Sequence, residues 1–157
     1  MTSVTIREYA TQDRSAALEC FRSNVPAFFS ASDEAWFASC LDEPDGPCFV
    51  VVCDGRVVGF GGYEVSEFYD SAVLVFGQIH AGWHGKGLGQ RLLQYRIDHL
   101  QANARPTRYL VVDTTLKVAP FFVKHGFEIV SHWRKGYRDG ADRVDLRLTL
   151  IPGAGQA

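Results

Sequence analysis

The sequence has no long hydrophobic run and no excess of charge of either sign. A membrane-spanning helix needs about 20 consecutive apolar residues, and no stretch of this chain reaches that length. The opening stretch, MTSVTIRE, also lacks the apolar core of a signal peptide. Lys and Arg number 16 against 18 Asp and Glu, so a net charge of -2 gives no electrostatic basis for binding nucleic acid. We therefore expect a cytoplasmic protein that contacts neither membrane nor nucleic acid.

Cysteine is scarce and shows none of the spacings that bind metals. The four cysteines form no Cys-x-x-Cys pair and have no histidine cluster beside them: Cys20, Cys40, Cys48 and Cys53. This pattern excludes the usual zinc sites and provides no disulfide framework. We expect reduced thiols and no bound metal ion.

Internal repeats and linkers are also absent, and the composition is that of an ordinary globular protein, with 46% hydrophobic and 22% charged residues. A length of 157 residues suits one domain with a sizeable core, so residues 1–157 are predicted to form a single domain. Periodicity and turn residues predict a strand at 4–9, helices at about 11–22 and 32–41, strands at 48–53, 56–65 and 72–79, a helix from 88, a strand at 107–113, a helix at 118–124, strands at 127–130 and 144–150, and a frayed tail from 152.

Two details of this order matter for packing. Asp54-Gly55 between the second and third strands is a strong hairpin signal. The third strand then carries glycines that weaken it unless the strand bulges or another group approaches closely: Gly59, Gly61 and Gly62.

An aromatic group is expected in the core, with the wall of an acceptor pocket as the alternative: Phe28, Phe29, Trp36 and Phe37.

The most informative stretch is a glycine-rich segment between the central strand and the helix that follows it. Apolar residues recur at helical spacing after this segment: Leu88, Leu92, Leu93, Ile97 and Leu100. Polar residues lie between them: Gln90, Arg91, Gln94, Arg96 and Asp98. Three glycines alternate at the junction: Gly85, Gly87 and Gly89. The pattern predicts a strand, a loop and an amphipathic helix.

Such a junction favours an anion. The first amides of a helix have no partner within the helix and lie at the positive end of its dipole. Glycine adopts positive φ and leaves room for a bulky ligand, and Lys86 adds a positive charge. A plain connecting turn is the alternative, but a glycine inside a helix costs roughly 1 kcal/mol relative to alanine. We therefore predict a phosphate or pyrophosphate site.

Two nucleotide-binding motifs fit this loop poorly. A Walker loop needs a hydroxyl residue after Gly-Lys, whereas Gly87 follows Lys86. A dinucleotide fingerprint needs a third glycine where this chain has Gln90. In its favour, Asp113 follows the next strand about where a ribose-binding acid would lie. Dinucleotide binding remains a third interpretation.

A different motif fits this loop better than either nucleotide-binding motif. Residues 79–89, IHAGWHGKGLG, resemble the acetyl-CoA signature of the GNAT superfamily of N-acetyltransferases, Gln/Arg-x-x-Gly-x-Gly/Ala after a strand. Gly87 and Gly89 fill the glycine places, whereas His84 stands where Gln or Arg is usual. Residues 119–128, APFFVKHGFE, resemble the second landmark of the same family, and the order of elements agrees over nearly the whole chain.

The resemblance implies an α/β fold with a mixed, mostly antiparallel twisted sheet of about six to seven strands and flanking helices. It also implies an enzyme that moves the acetyl group of acetyl-CoA to a primary amine by direct transfer in a ternary complex. The acceptor would be an amine of a small molecule or a peptide, which the sequence does not identify. Many GNAT proteins are dimers, so a homodimer is left open.

Site residues follow from the same resemblance. The cofactor would contact Gln78, Ile79, His84, Gly85, Lys86, Gly87, Leu88, Gly89, Gln90, Thr115 and Phe122. Its pantetheine arm would pair along the strand end from Gly77 to Ile79. The amide of Gly77 would donate to the thioester oxygen as negative charge develops there, although a simple bulge glycine is the alternative. Thr115 could instead cap the helix that follows it.

The sequence offers three candidates for the general base. An alkylammonium with a pKa near 10.4 must lose a proton before it attacks, so a general base is useful. The central strand, residues 72–78, has no acid. The first candidate for the base is Glu64, the second Asp113 and the third His80.

Phe122 is a further departure from the family, because it stands where a tyrosine usually protonates the departing thiolate. Phenylalanine cannot donate a proton. A thiol has a pKa near 8.5, however, so its thiolate is only weakly basic and can leave without a proton donor. A non-catalytic acyl-CoA-binding module on the same scaffold is therefore the alternative to the enzyme.

Overall fold

The computed structural model describes residues 3–150, so the predicted frayed tail from Pro152 lies outside the described residues. The helices are α1 (Arg14–Ser23), α2 (Glu34–Asp42), α3 (Leu88–Asn103) and α4 (Ala119–Lys124). The strands are β1 (Val4–Glu8), β2 (Cys48–Cys53), β3 (Arg56–Val65), β4 (Ser71–Ile79), β5 (Tyr109–Thr114), β6 (Glu128–Trp133) and β7 (Arg143–Thr149). Each predicted element is present, with ends that differ by a few residues.

The strands form one seven-stranded sheet in the order β1-β2-β3-β4-β5-β7-β6. β4 and β5 pair in parallel, with Ser71 opposite Tyr109 and Val73 opposite Val111. Antiparallel ladders join β1 to β2, β2 to β3, β5 to β7 and β6 to β7. The predicted fold class, a mixed and mostly antiparallel sheet with flanking helices, is confirmed.

The chain divides into two compact units. The first contains the described residues up to Glu64 together with Val75–Asn103, and the second contains Val65–Leu74 and the described residues from Ala104 onwards. The parallel pairing of β4 with β5 lies in the second unit, whereas β4 from Val75 onwards belongs to the first. That residues 1–157 are a single domain stays a prediction.

In the first unit, α1 and α2 bury their apolar faces against β2 and β3. The buried cluster comprises Ala17, Leu18, Phe21, Phe37, Leu41, Val50 and Phe60. Phe21 stacks on Phe37 at 5.2 Å and on Phe29 at 4.9 Å between ring centroids. The expected core position is confirmed for Phe37 and Phe29, but it is wrong for Trp36, whose side chain is 64% exposed.

The β2–β3 hairpin forms as its turn residues predict. Asp54 and Gly55 both have positive φ, 49° and 81°, as two-residue hairpin turns require. The register shifts between Val51, opposite Gly59, and Val52, opposite Val57, so β3 carries the extra residue of a bulge at Val58.

In the second unit, α4 contacts β6 and β7, and β7 pairs with β5. The buried apolar residues of this unit include Leu110, Val112, Phe122, Phe127, Val144 and Leu146. Gly126, with φ of 96°, follows the end of α4, where glycine is common because it adopts positive φ without strain.

Candidate functional site

The site begins at an irregularity in β4. Phe76 has φ of 50°, a left-handed conformation that a bulky residue rarely adopts. Its ring lies 4.9 Å from that of Phe37 and 5.0 Å from that of Trp36, so packing holds it in place. The sequence suggested a bulge at Gly77, but the positive φ falls on Phe76, and Gly77 follows it as an exposed residue. The strained residue changes the direction in which β4 presents its backbone.

The side chain of Gln78 is hydrogen-bonded to the distorted part of β4. Its side-chain amide donates to the carbonyl of Phe76 at 3.1 Å. The residue is 6% exposed, and its Oε1 is buried without a hydrogen-bond partner. A buried amide oxygen that lacks a donor is costly in free energy, so Gln78 carries an unsatisfied polar group near the end of β4.

The loop after β4 starts with a turn from Ala81 to Trp83. His80 caps this turn, because its Nδ1 accepts a hydrogen bond from the amide of Gly82 at 3.0 Å. A ring nitrogen occupied in this way is a poor general base, so the third candidate for that role is disfavoured.

Gly85 and Gly87 both have φ of 77°, and a Cβ added at either would meet no atom within 4 Å. Both positions therefore need glycine for backbone conformation, and both leave open space above the loop. Gly89 is the second residue of α3. Arg91 donates its amide to the carbonyl of Gly87 at 3.2 Å, so the amides before Arg91 lie at the start of the helix, as an anion site requires.

His84 ties the loop to the end of β4. Its Nε2 lies 2.7 Å from the carbonyl oxygen of Ile79, which can only accept, so Nε2 carries the hydrogen. The ring also meets Phe28 edge-on at 5.3 Å. Asn24 donates to the same carbonyl at 2.9 Å, which uses both lone pairs of that oxygen. Any contact of Ile79 with a ligand must therefore be made by other atoms.

The charge beside the loop is positive. Lys86 and Arg91 line a cavity of about 280 Å³ with Val4, Cys53, Trp83 and Leu88. Burial raises the pKa of the Cys53 thiol, so this side chain adds no negative charge at neutral pH. The lining therefore favours an anionic group.

A buried arginine lies beneath the β4 distortion. Arg96 is only 4% exposed, and its Nη1 donates to the carbonyl of Gly62 at 3.2 Å. A Cβ on Gly77 would stand 2.8 Å from Nη2 of Arg96, and one on Gly61 would stand 3.2 Å from Cζ. The glycines of β3 and β4 thus make room for a guanidinium. Sequence patterning missed Arg96, which it assigned to the polar face of the helix; the only signal was the row of glycines in β3.

Glu64, the first candidate for the base, lies near the end of β3 and is half-buried. Burial raises its pKa, and the negative charge of Asp45 raises it further. A carboxylate whose pKa moves toward neutrality becomes a stronger base, so this environment is compatible with the predicted role.

The remaining candidates lie in the second unit. Asp113 accepts a hydrogen bond from the hydroxyl of Tyr137 at 2.7 Å. Thr115 accepts backbone hydrogen bonds from Val118 and Ala119 at 3.1 and 3.0 Å, which start the α4 turn. Phe122 is 8% exposed and packs edge-on against Phe127 at 5.2 Å. The ligand contacts assigned to these residues stay predictions.

Within residues 3–150 there is no cluster of three or more His, Cys, Asp or Glu side chains that could hold a metal ion. Over the same residues, no helix has the length and apolarity needed to cross a membrane.

Comparison with known proteins gives three results. A model of the acetyltransferase (GNAT) family matches residues 11–127. Solved structures of GNAT proteins share the fold, whereas no curated protein matches the chain.

Three structures illustrate the likeness. A GNAT-family protein from Desulfovibrio desulfuricans superposes with a TM-score of 0.81 at 20% identity, over 95% of this chain and 100% of that one. The ribosomal-protein-S18-alanine N-acetyltransferase of Escherichia coli gives 0.80 at 22% identity, over 99% of each chain. The Salmonella typhimurium protein yncA, solved with acetyl-CoA, gives 0.72 at 21% identity, over 97% of this chain and 96% of that one. At such identities the likeness establishes the fold.

Proposed function

Because the chain belongs to the GNAT acetyltransferase family, which uses acetyl-CoA, we propose that it transfers the acetyl group of acetyl-CoA to a primary amine by direct attack in a ternary complex. The amine nitrogen forms a bond to the thioester carbonyl carbon, and the carbon–sulfur bond breaks to release CoA. The observation that carries the proposal is the loop before α3, where Gly85 and Gly87 hold positive φ beneath open space.

The pyrophosphate of acetyl-CoA fits this loop. The unpaired amides at the start of α3, from Leu88 to Gln90, and the helix dipole favour a doubly anionic group. Lys86 supplies a neighbouring cation, and Gly85 and Gly87 carry no side chains that would block approach. His84 would stabilise the loop through Ile79 in place of the usual Gln or Arg.

The pantetheine arm and the thioester are assigned to the distorted part of β4. Gly77 is exposed there, so its amide is our candidate donor to the thioester oxygen. Gln78 follows Gly77 on the same strand, and its buried Oε1 has no hydrogen-bond partner. The carbonyl of Ile79 already accepts two hydrogen bonds, which favours Gly77 and Gln78 as the principal contacts.

The acceptor ammonium loses its proton to Glu64, directly or through a water molecule, before it attacks. The thiolate of CoA leaves without a proton from Phe122, which has none to give, and takes one from solvent. The acceptor is an amine of a small molecule or a peptide. We also propose, from the sequence, that the protein is cytoplasmic, with a homodimer left open.

The second candidate is an acyl-CoA-binding module without catalytic activity. The buried phenyl ring of Phe122 at the usual tyrosine position and the absence of an acid on β4 favour it. Both candidates require acetyl-CoA to bind, and only the first requires thiol release in the presence of an amine.

Isothermal titration with acetyl-CoA, with NADH as the control, tests the proposal. We expect micromolar binding of acetyl-CoA and none of NADH. A screen of primary amines for thiol release then separates enzyme from module. A protein that binds no acetyl-CoA would refute both candidates, and one that binds NADH instead would revive the dinucleotide interpretation.

A further inference from the structure

Arg96 carries a buried charge for which its surroundings provide little compensation. Among residues 3–150 no carboxylate pairs with it, and its Nε is buried without a hydrogen-bond partner. Its hydrogen bond to the carbonyl of Gly62 is 3.2 Å long. A buried charge that lacks a partner is destabilising, so stability alone does not explain its presence.

The position of the guanidinium is closely defined. A Cβ on Gly77 would lie 2.8 Å from Nη2 and 3.1 Å from Nη1, so the guanidinium edge lies directly against the backbone of Gly77. Gly61 makes the corresponding space on β3, where a Cβ would lie 3.2 Å from Cζ. Phe76, with its positive φ, precedes Gly77. Two glycines on different strands therefore lie against one buried cation, and one of them, Gly77, directly follows a strained residue.

The charge is present at neutral pH and is not cancelled nearby. Burial lowers the pKa of Arg96 to about 10, which leaves the guanidinium protonated under ordinary conditions. The titratable group that acts on it is the thiol of Cys48, whose pKa burial raises to about 11, so the thiol is neutral. A net positive field therefore persists at Gly77.

We propose that Arg96 is an electrostatic positioning residue that acts through Gly77 to polarise the thioester carbonyl of acetyl-CoA. The inference rests on the proposed function. Arg96 touches Gly77 and not the reacting atoms, so it holds the Gly77 backbone in place and adds a positive field behind its amide. Negative charge that develops on the thioester oxygen is stabilised by that field.

The distance permits a measurable effect. Bond lengths and a hydrogen bond of about 3 Å place an oxygen bound to the Gly77 amide within about 9 Å of the guanidinium. At an effective dielectric constant of about 20, a unit charge at this distance changes a rate on the order of tenfold.

Isotope-edited infrared spectroscopy of bound acetyl-CoA, labelled with ¹³C at the carbonyl, tests this role without an acceptor. In the wild type, the carbonyl stretch is expected at a lower wavenumber than in free acetyl-CoA. Arg96→Met should remove most of that shift, and Arg96→Lys, which keeps the charge, should retain most of it. Arg56→Gln removes an exposed charge at the start of β3 and should change nothing.

Stability and kinetics provide independent measurements. Because an apolar residue replaces an unpaired buried charge, R96M is expected to keep or raise the Tm. In thiol-release assays it should lower kcat on the order of tenfold while the Kd for acetyl-CoA stays within about twofold. Arg96→Gln, which can still donate to Gly62, should lose the carbonyl shift in the same way.

Each alternative outcome is decisive. An equal carbonyl frequency in the wild type and R96M, or in bound and free acetyl-CoA, would overturn the inference and leave the proposed function intact. Failure of both R96M and R96Q to fold would show that Arg96 is needed for structure and would also overturn it. A wild type that binds no acetyl-CoA would overturn the proposed function, and the inference with it.

Discussion

His84 donates from Nε2 to the carbonyl oxygen of Ile79 across 2.7 Å, and so joins the glycine-rich loop to the strand before it. His84→Ala removes this hydrogen bond, and the loop must then be ordered when the ligand binds. A hydrogen bond of about 1 kcal/mol predicts an acetyl-CoA affinity roughly fivefold to tenfold weaker by isothermal titration. His84→Gln restores a donor and should bind nearly as the wild type does; equal affinities for H84A and the wild type would contradict the prediction.

Gly87 and Gly55 form a matched pair, because both have positive φ and open space where a Cβ would stand. Alanine at either position should cost about 1–2 kcal/mol of unfolding free energy, since the left-handed conformation disfavours a side chain. Only Gly87→Ala should also weaken acetyl-CoA binding, by at least about tenfold, because only Gly87 lies in the proposed pyrophosphate site. Urea unfolding and titration measure the two effects, and similar binding losses in G87A and G55A would argue against this site.

Gly77 and Arg96 are predicted to be energetically coupled. A Cβ on Gly77 would lie 2.8 Å from Nη2 of Arg96, which is 4% exposed, so the buried guanidinium would have to shift. Gly77→Ala should therefore cost about 1–3 kcal/mol of stability. The same substitution in an Arg96→Ala background should cost much less, because the clash is gone. A double-mutant cycle by urea unfolding measures the coupling, and additive effects would show that the two residues do not touch.

Glu64→Gln tests the general base. The variant should lower thiol release on the order of a hundredfold while acetyl-CoA binds unchanged, because the amide cannot take the acceptor proton. Asp113→Asn is the comparison, since Asp113 was the second candidate from the sequence. If D113N loses activity and E64Q does not, the base is Asp113.

The same carboxylate affects stability with a defined sign. Burial and the charge of Asp45 raise the pKa of Glu64 above its ordinary value of 4.5, so the folded state binds this proton more tightly than the unfolded chain does. The stability contributed by the proton is fully present below a pH of about 4.5 and is lost as the pH rises through the folded pKa. Glu64→Gln should therefore raise the Tm at about pH 7 and leave it unchanged at about pH 4. The exposed Glu67, changed to Gln, is the control for loss of one charge.

Local conformational preference explains what the sequence predicted well. Asp54-Gly55 predicts the hairpin because positive φ is a property of the turn residues themselves, and both adopt it. Gly85 and Gly87 predict the loop for the same reason. The order of strands and helices follows from the spacing of apolar residues. That spacing can be read within the stretch of sequence that forms each element. These features need no knowledge of distant neighbours.

The tertiary structure alone decided the burial of Arg96 and the exposure of Trp36. Residue type favours the opposite positions for both, because arginine is ordinarily solvated and tryptophan is ordinarily buried. Arg96 is buried because glycines on β3 and β4 leave space beside it, and that space exists only after the strands pair. The positive φ of Phe76 is likewise held by packing against rings from α2. The sequence thus determined the elements and the glycine-rich loop, whereas long-range packing determined which side chains are buried or exposed around the candidate site.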